Sequence, residues 1–156
     1  MKIPLLCALL LSGCAATTPS LSPLHMQPVQ AQFGLRFSHG DNSLPLQGAV
    51  QFTEDAGSLG VIFPHGRTLG LCRYQRGGME CVPADGERGG TRFMLRQIGL
   101  AVYRVLPALT RESAQDSIEK DWTVYWKEAD SGRKAEYRDL NSQVTLEILF
   151  TEISRP

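Results

Sequence analysis

The stretch Val29-Gln30-Ala31-Gln32-Phe33-Gly34-Leu35-Arg36-Phe37-Ser38 alternates at every step. Val29, Ala31, Phe33, Leu35 and Phe37 fall on one face; Gln30, Gln32, Gly34, Arg36 and Ser38 fall on the other. A period of two puts successive side chains on opposite sides of an extended chain, so this is a strand with one buried face. The pattern continues outward. After the turn-forming run His39-Gly40-Asp41-Asn42-Ser43, residues 44–53 alternate again, with Leu46, Val50 and Phe52 on the apolar side. A second turn, Glu54-Asp55-Ala56-Gly57, leads to a strand carrying Leu59, Val61 and Phe63. Strands joined by turns this short pair antiparallel, as a meander.

Residues 68–75 and 78–83 form a hairpin when Arg76-Gly77 is its two-residue loop. Counting back from that loop, Tyr74 faces Met79, Arg73 faces Glu80 and Cys72 faces Cys81. One register therefore pairs opposite charges and brings the two cysteines to a non-hydrogen-bonded site, where they are close enough to bridge. Eight residues between them make no Cys-x-x-Cys motif, and no neighbouring His or Cys completes a zinc shell, so a structural disulfide is expected. At residues 91–106 the period changes. Met94, Ile98, Ala101, Val102 and Val105 recur at three and four, Leu95, Leu106 and Leu109 widen the stripe, and Arg92, Arg96 and Arg104 are expected outside. This is an amphipathic helix with Thr91 as its N-cap and Pro107 near its end. Residues 111–121 are polar and read as a loop with a helical turn. Trp122, Val124 and Trp126 then alternate with Thr123, Tyr125 and Lys127, an arm at 133–139 follows, and Val144, Leu146, Ile148 and Phe150 face inward from the last strand. The expected fold is mainly β: a curved antiparallel half-barrel of about eight strands, with the one helix as its lid or plug.

Composition narrows the function classes. The chain has 156 residues, with 16 Lys+Arg against 16 Asp+Glu. A balanced charge argues against nucleic acid as a main partner, because phosphate binding wants a clustered basic excess. Hydrophobic residues make up 42% and charged residues 21%, which suits a folded globular domain rather than a disordered chain. His25, His39 and His65 stand apart, none near a second ligand at a metal-site spacing, and no Gly-x-Ser-x-Gly, P-loop or His-Glu-x-x-His motif occurs. The aspartates lie mostly in turns, where they serve backbone geometry. No catalytic residue, cofactor or metal is therefore assigned, and the chain is not expected to be an enzyme.

The N-terminus reads as an address. Met1-Lys2 precedes the apolar run at residues 3–11, too short for a membrane span of about 20 residues and of the length of a signal-peptide core. The run ends in Leu11-Ser12-Gly13-Cys14-Ala15. This resembles the lipobox of bacterial lipoproteins, which implies removal of residues 1–13 and acylation of Cys14. Ala15 rather than Asp after the cysteine implies the outer membrane, with the domain on the periplasmic side and anchored through its lipid. Residues 14–28 are a Pro/Ser/Thr tether, and 29–156 form a single domain.

The order of elements resembles the LolA/LolB periplasmic lipoprotein carriers, and more closely a related family of uncharacterised outer-membrane lipoproteins. The likeness rests on the lipobox, the tether, and the meander reaching Ile62-Phe63-Pro64-His65-Gly66-Arg67-Thr68-Leu69. It extends through the hairpin, the helix Gln97-Ile98-Gly99-Leu100-Ala101-Val102-Tyr103 and the closing Val144-Thr145-Leu146-Glu147-Ile148. The resemblance implies a half-open barrel with a helical lid and an apolar cavity for acyl chains. The implied function is to bind a lipid or lipoprotein acyl cargo, received from a periplasmic carrier protein, and to assist its transport or insertion at the outer membrane. On that reading Phe33, Leu35, Phe37, Val50, Phe52, Trp122 and Trp126 form the cavity wall, with Met94, Ile98 and Val102 as the lid. The alternative is a structural or interaction lipoprotein that presents a closed β domain to a periplasmic protein partner, the same residues forming an ordinary core.

Overall fold

Every alternating stretch becomes a strand of one antiparallel sheet in the computed structural model, which describes residues 28–86, 90–111 and 113–155. In chain order these are β1 (Val29–His39), β2 (Asn42–Thr53), β3 (Ala56–Ile62), β4 (Thr68–Gln75) and β5 (Gly78–Pro83). The helix α1 (Thr91–Leu109) follows, then β6 (Ser117–Ile118), β7 (Trp122–Ala129), β8 (Gly132–Asp139) and β9 (Val144–Ser154). The spatial order is β5-β4-β3-β2-β1-β9-β8-β7-β6. The fold is mainly β, and the sheet is open: β1 pairs with both β2 and β9, so the first strand lies at the centre and two wings extend from it.

The inward faces are those the periodicity predicts. Val29, Ala31, Phe33, Leu35 and Phe37 of β1 are all buried, as are Val144, Leu146, Ile148 and Phe150 of β9. Two glycines make room for aromatic rings on this face. Phe33 lies directly opposite Gly48 and Phe52 directly opposite Gly57. A Cβ on Gly48 would sit 2.4 Å from Phe33 Cζ, and one on Gly57 would sit 2.3 Å from Phe52 Cδ2. Each ring covers the bare backbone of its cross-strand glycine, which protects the ladder and fills the concavity.

The helix bridges the two wings, its backbone approaching β4 and β5 on one side and β8 and β9 on the other. Its docking on the hairpin is tight. Cys72 and Cys81 are joined (S–S 2.01 Å) in the register expected from the loop. Their sulfurs lie 3.6 Å and 3.9 Å from the Leu95 carbonyl oxygen. The Tyr74 hydroxyl donates to the Gly99 carbonyl at 2.8 Å. At its other end, Arg133 donates to the carbonyls of Ala108 (3.3 Å) and Arg111 (2.8 Å), and Arg155 donates to that of Thr110. Cations at a helix C-terminus satisfy its orphan carbonyls and oppose the negative end of its dipole.

Four expectations need correction. Ser117 and Ile118, in the polar stretch read as a loop, instead pair with Val124 and Thr123 as β6, which brings the described residues to nine strands. The N-cap is Gly90, in the left-handed conformation that glycine tolerates; Thr91 is the first helical residue. β3 ends at Ile62, leaving Phe63 in the turn, although its ring still packs on the core. Arg104 is not outside: it turns inward over the rings of Trp122 in β7 and Tyr137 in β8.

Candidate functional site: the concavity and its open seam

The residues expected to form a cavity wall do meet on one concave surface, but α1 and their own rings fill it. Phe33, Leu35, Phe37, Val50 and Phe52 are between 3% and 7% exposed. Ile98 and Val102, on the helix face above them, are fully buried, and Met94 is half-buried at the helix start. The middle of the concavity is an aromatic stack: Phe52 lies 5.9 Å from Tyr74 and 6.2 Å from Tyr103, and those two tyrosines stack at 5.5 Å. Burial, and then the neighbouring Tyr103, pushes the Tyr74 phenol above its ordinary pKa. Residues this inaccessible to water form a packed core, to which one buried face in each element contributes.

One stretch of the concave face is incompletely covered. Trp122 and Trp126 of β7 are half-buried, both packed on the core at their inner edges. Trp122 stacks on Tyr137 with centroids 6.1 Å apart, and Trp126 on Phe150 at 6.4 Å. Arg104 reaches this seam from α1. Its guanidinium sits 5.2 Å from the Trp122 ring centre and 5.9 Å from that of Tyr137, in cation–π range of both. It donates to the Tyr137 hydroxyl and pairs with Asp139 Oδ2 at 3.8 Å. Asp139 Oδ1 meanwhile accepts the backbone N–H groups of Asn141 (3.0 Å) and Ser142 (2.8 Å), which tie it to the β8–β9 turn. Burial is the largest influence on the Tyr137 phenol. Asp139 acts in the same direction and Arg104 against it, and the pKa is pushed up to about 12. The phenol therefore stays protonated and serves as a neutral relay between an arginine and a carboxylate. These groups hold α1 against the β7–β8 wing. No nucleophile with an adjacent base stands among them.

Sequence reasoning missed this cluster. Arg104 sits beside the apolar stripe of its helix, and its partners Trp122, Tyr137 and Asp139 come from elements that only the folded sheet brings together. His39 packs against Phe93 (5.5 Å) and His65 stacks on Phe63 (5.4 Å). Among the described residues, no group of three His, Cys, Asp or Glu side chains could hold a metal ion, and no helix is long and apolar enough to cross a membrane. Cys7, Cys14 and His25 lie outside the described residues. Compared with known protein families and with curated proteins, the chain has no match.

Proposed function

We propose that this chain is a non-enzymatic outer-membrane lipoprotein, held by an acylated Cys14, whose closed β domain is presented to a partner in the periplasm. The observation that carries the reading is the exclusion of water from Phe33, Leu35, Phe37, Val50 and Phe52 beneath α1. Accepting an acyl chain among them requires the helix to move off. Seven large apolar side chains of α1 are buried: Leu95, Ile98, Leu100, Val102, Val105, Leu106 and Leu109. Exposing them together would cost roughly 10–20 kcal/mol of transfer free energy. The disulfide-side contacts at Gly99 and the Arg104 cluster would be lost as well.

Acyl-cargo binding is the second reading, and the half-open Trp122–Trp126 seam with its inward arginine favours it. An apolar wall with a cation beside it suits an acyl chain that ends in an anionic headgroup.

The two are separated with a Cys14→Ala form purified without detergent and examined by native mass spectrometry, alone and with added palmitate. A bare protein mass under both conditions is the expected result. A discrete acyl adduct that disappears in Trp126→Glu would overturn the closed-domain reading in favour of a carrier. Loss of labelled palmitate incorporation in Cys14→Ala, with incorporation in the parent, tests the anchor itself.

A further inference from the structure

The outer, convex face of the sheet carries a furrow that the core and the helix do not explain. It crosses β9, β1, β2 and β3, where the register sets Thr151 beside Gln32, Gln32 beside Ala49, and Ala49 beside Gly60. Ala49 and Gly60 of that row, with Gly34, make its low floor, and Gln32 and Thr151 stand over it. Gln47 and Ile62 rise on one side, and Gln30, Gln51 and Ser58 on the other. The furrow is about 510 Å³, and an adjoining depression of about 470 Å³ shares Gln32, Ala49 and Gly60 with it. Ligand sites are commonly of this size.

Its chemistry is selective. Four glutamine amides, each both donor and acceptor, and the hydroxyl residues Ser58, Thr151 and Ser154 line the two depressions. Glu152 is the one charged residue among the lining. Elsewhere the same face is charged, as at the Lys134–Glu147 pair (2.9 Å). Glu152 also has a left-handed backbone, φ 49°, where the β1–β9 register slips between Gln30 and Gln32. Bulges of this kind re-aim a side chain, and a non-glycine residue held at positive φ is a conformation that the surroundings must impose.

We propose that this furrow binds a neutral glycan bearing acetamido groups. A ligand with many uncharged donors and acceptors matches amide and hydroxyl walls, and the shallow Gly/Ala floor admits the flat face of a sugar ring. A polyanion finds no cation among the lining. An acyl chain would leave the amides unpaired. An extended peptide is disfavoured because the furrow lies on the face of the sheet, where the backbone groups are already paired within the ladders. The inference is independent of what the concave side does.

The test uses the Cys14→Ala chain, with tetra-N-acetylchitotetraose as probe and the glutamine side-chain amide signals as the NMR readout. Millimolar probe is expected to shift the signals of Gln30, Gln32, Gln47 and Gln51. A side chain on Gly34 would meet nothing within 4 Å of its Cβ, so Gly34→Leu intrudes on the furrow without disturbing the sheet. It is expected to weaken binding about tenfold with an unchanged or raised Tm, and Gln32→Leu to weaken it similarly. No shift at millimolar probe, shifts confined to other residues, or undiminished binding in both variants would each overturn the proposal. So would tighter binding of a neutral Gln/Ser peptide at the same signals, which would assign the furrow to a protein partner.

Discussion

Replacing Gly99 by alanine sets two effects of opposite sign against each other. In a helix interior, Gly→Ala ordinarily stabilises by about 1 kcal/mol, because glycine loses more backbone freedom on folding. At this position the new Cβ would lie 2.6 Å from Met79 Sδ, 3.0 Å from Cys72 Sγ and 3.3 Å from Cys81 Sγ. The methionine sulfur can swing, although Met79 is only 4% exposed and has little room. The cystine sulfurs are pinned by their covalent bond and by the pairing of β4 with β3. The helix must therefore retreat by some tenths of an ångström, lengthening the 2.8 Å bond from Tyr74 to the Gly99 carbonyl. Overpacking of this kind costs roughly 1–3 kcal/mol and a weakened hydrogen bond up to about 1 more. With the propensity gain subtracted, a net loss of about 0–3 kcal/mol, centred near 1.5, is expected, or roughly 5 °C in Tm at the centre for a domain of this size. Thermal unfolding followed by circular dichroism under non-reducing conditions measures it. Gly34→Ala is the control, because its Cβ meets nothing within 4 Å, and it is expected to stabilise by about 0.5–1 kcal/mol. A Gly99→Ala protein melting above the parent, as the helix propensity alone would have it, would refute the docking of α1 on the disulfide.

Three further outcomes are expected. Cys72→Ala/Cys81→Ala opens a loop closed over a sequence separation of 9 and is expected to lose about 2–3 kcal/mol in denaturant titrations. The parent in reductant should fall to the same midpoint, and the variant should ignore reductant. The Tyr137 phenol, with its pKa raised to about 12, keeps its proton in the folded state at pH values where the unfolded chain has lost it. Its contribution of about 2–3 kcal/mol is therefore complete below pH 10 and lost as pH rises from 10 to 12. Tyr137→Phe should remove one proton's worth of that slope in stability measured against pH, leaving the loss of the same sign from Tyr74; an unchanged slope would contradict the burial of the hydroxyl. Arg104→Met keeps the stem packed on Trp122 but leaves Asp139 without its cation, and is expected to cost about 1–2 kcal/mol in chemical unfolding. In an Asp139→Asn background the same change should cost less, as a double-mutant cycle would read.

What the sequence determined by itself was whatever repeats over a few residues. Alternation along residues 29–38 and 144–150 marked the buried faces, the loop at Arg76-Gly77 set the register that joins Cys72 to Cys81, and the three-four spacing from Met94 to Leu109 announced the helix. These depend on backbone periods and turn geometry, which are local. The tertiary structure decided what needs distant segments side by side. It filled the concavity through Phe33 over Gly48 and Phe52 over Gly57, pairs that only the strand register creates. It drew Arg104 inward because Trp122, Tyr137 and Asp139 come from strands that follow the helix in the chain and fold back beside it. It assembled the furrow from β9, β1, β2 and β3, so that glutamines that read one by one as a wet strand face became a continuous neutral surface. Periodicity tells a side chain which face it is on; only the packing of the whole sheet against its helix tells it which neighbours share that face.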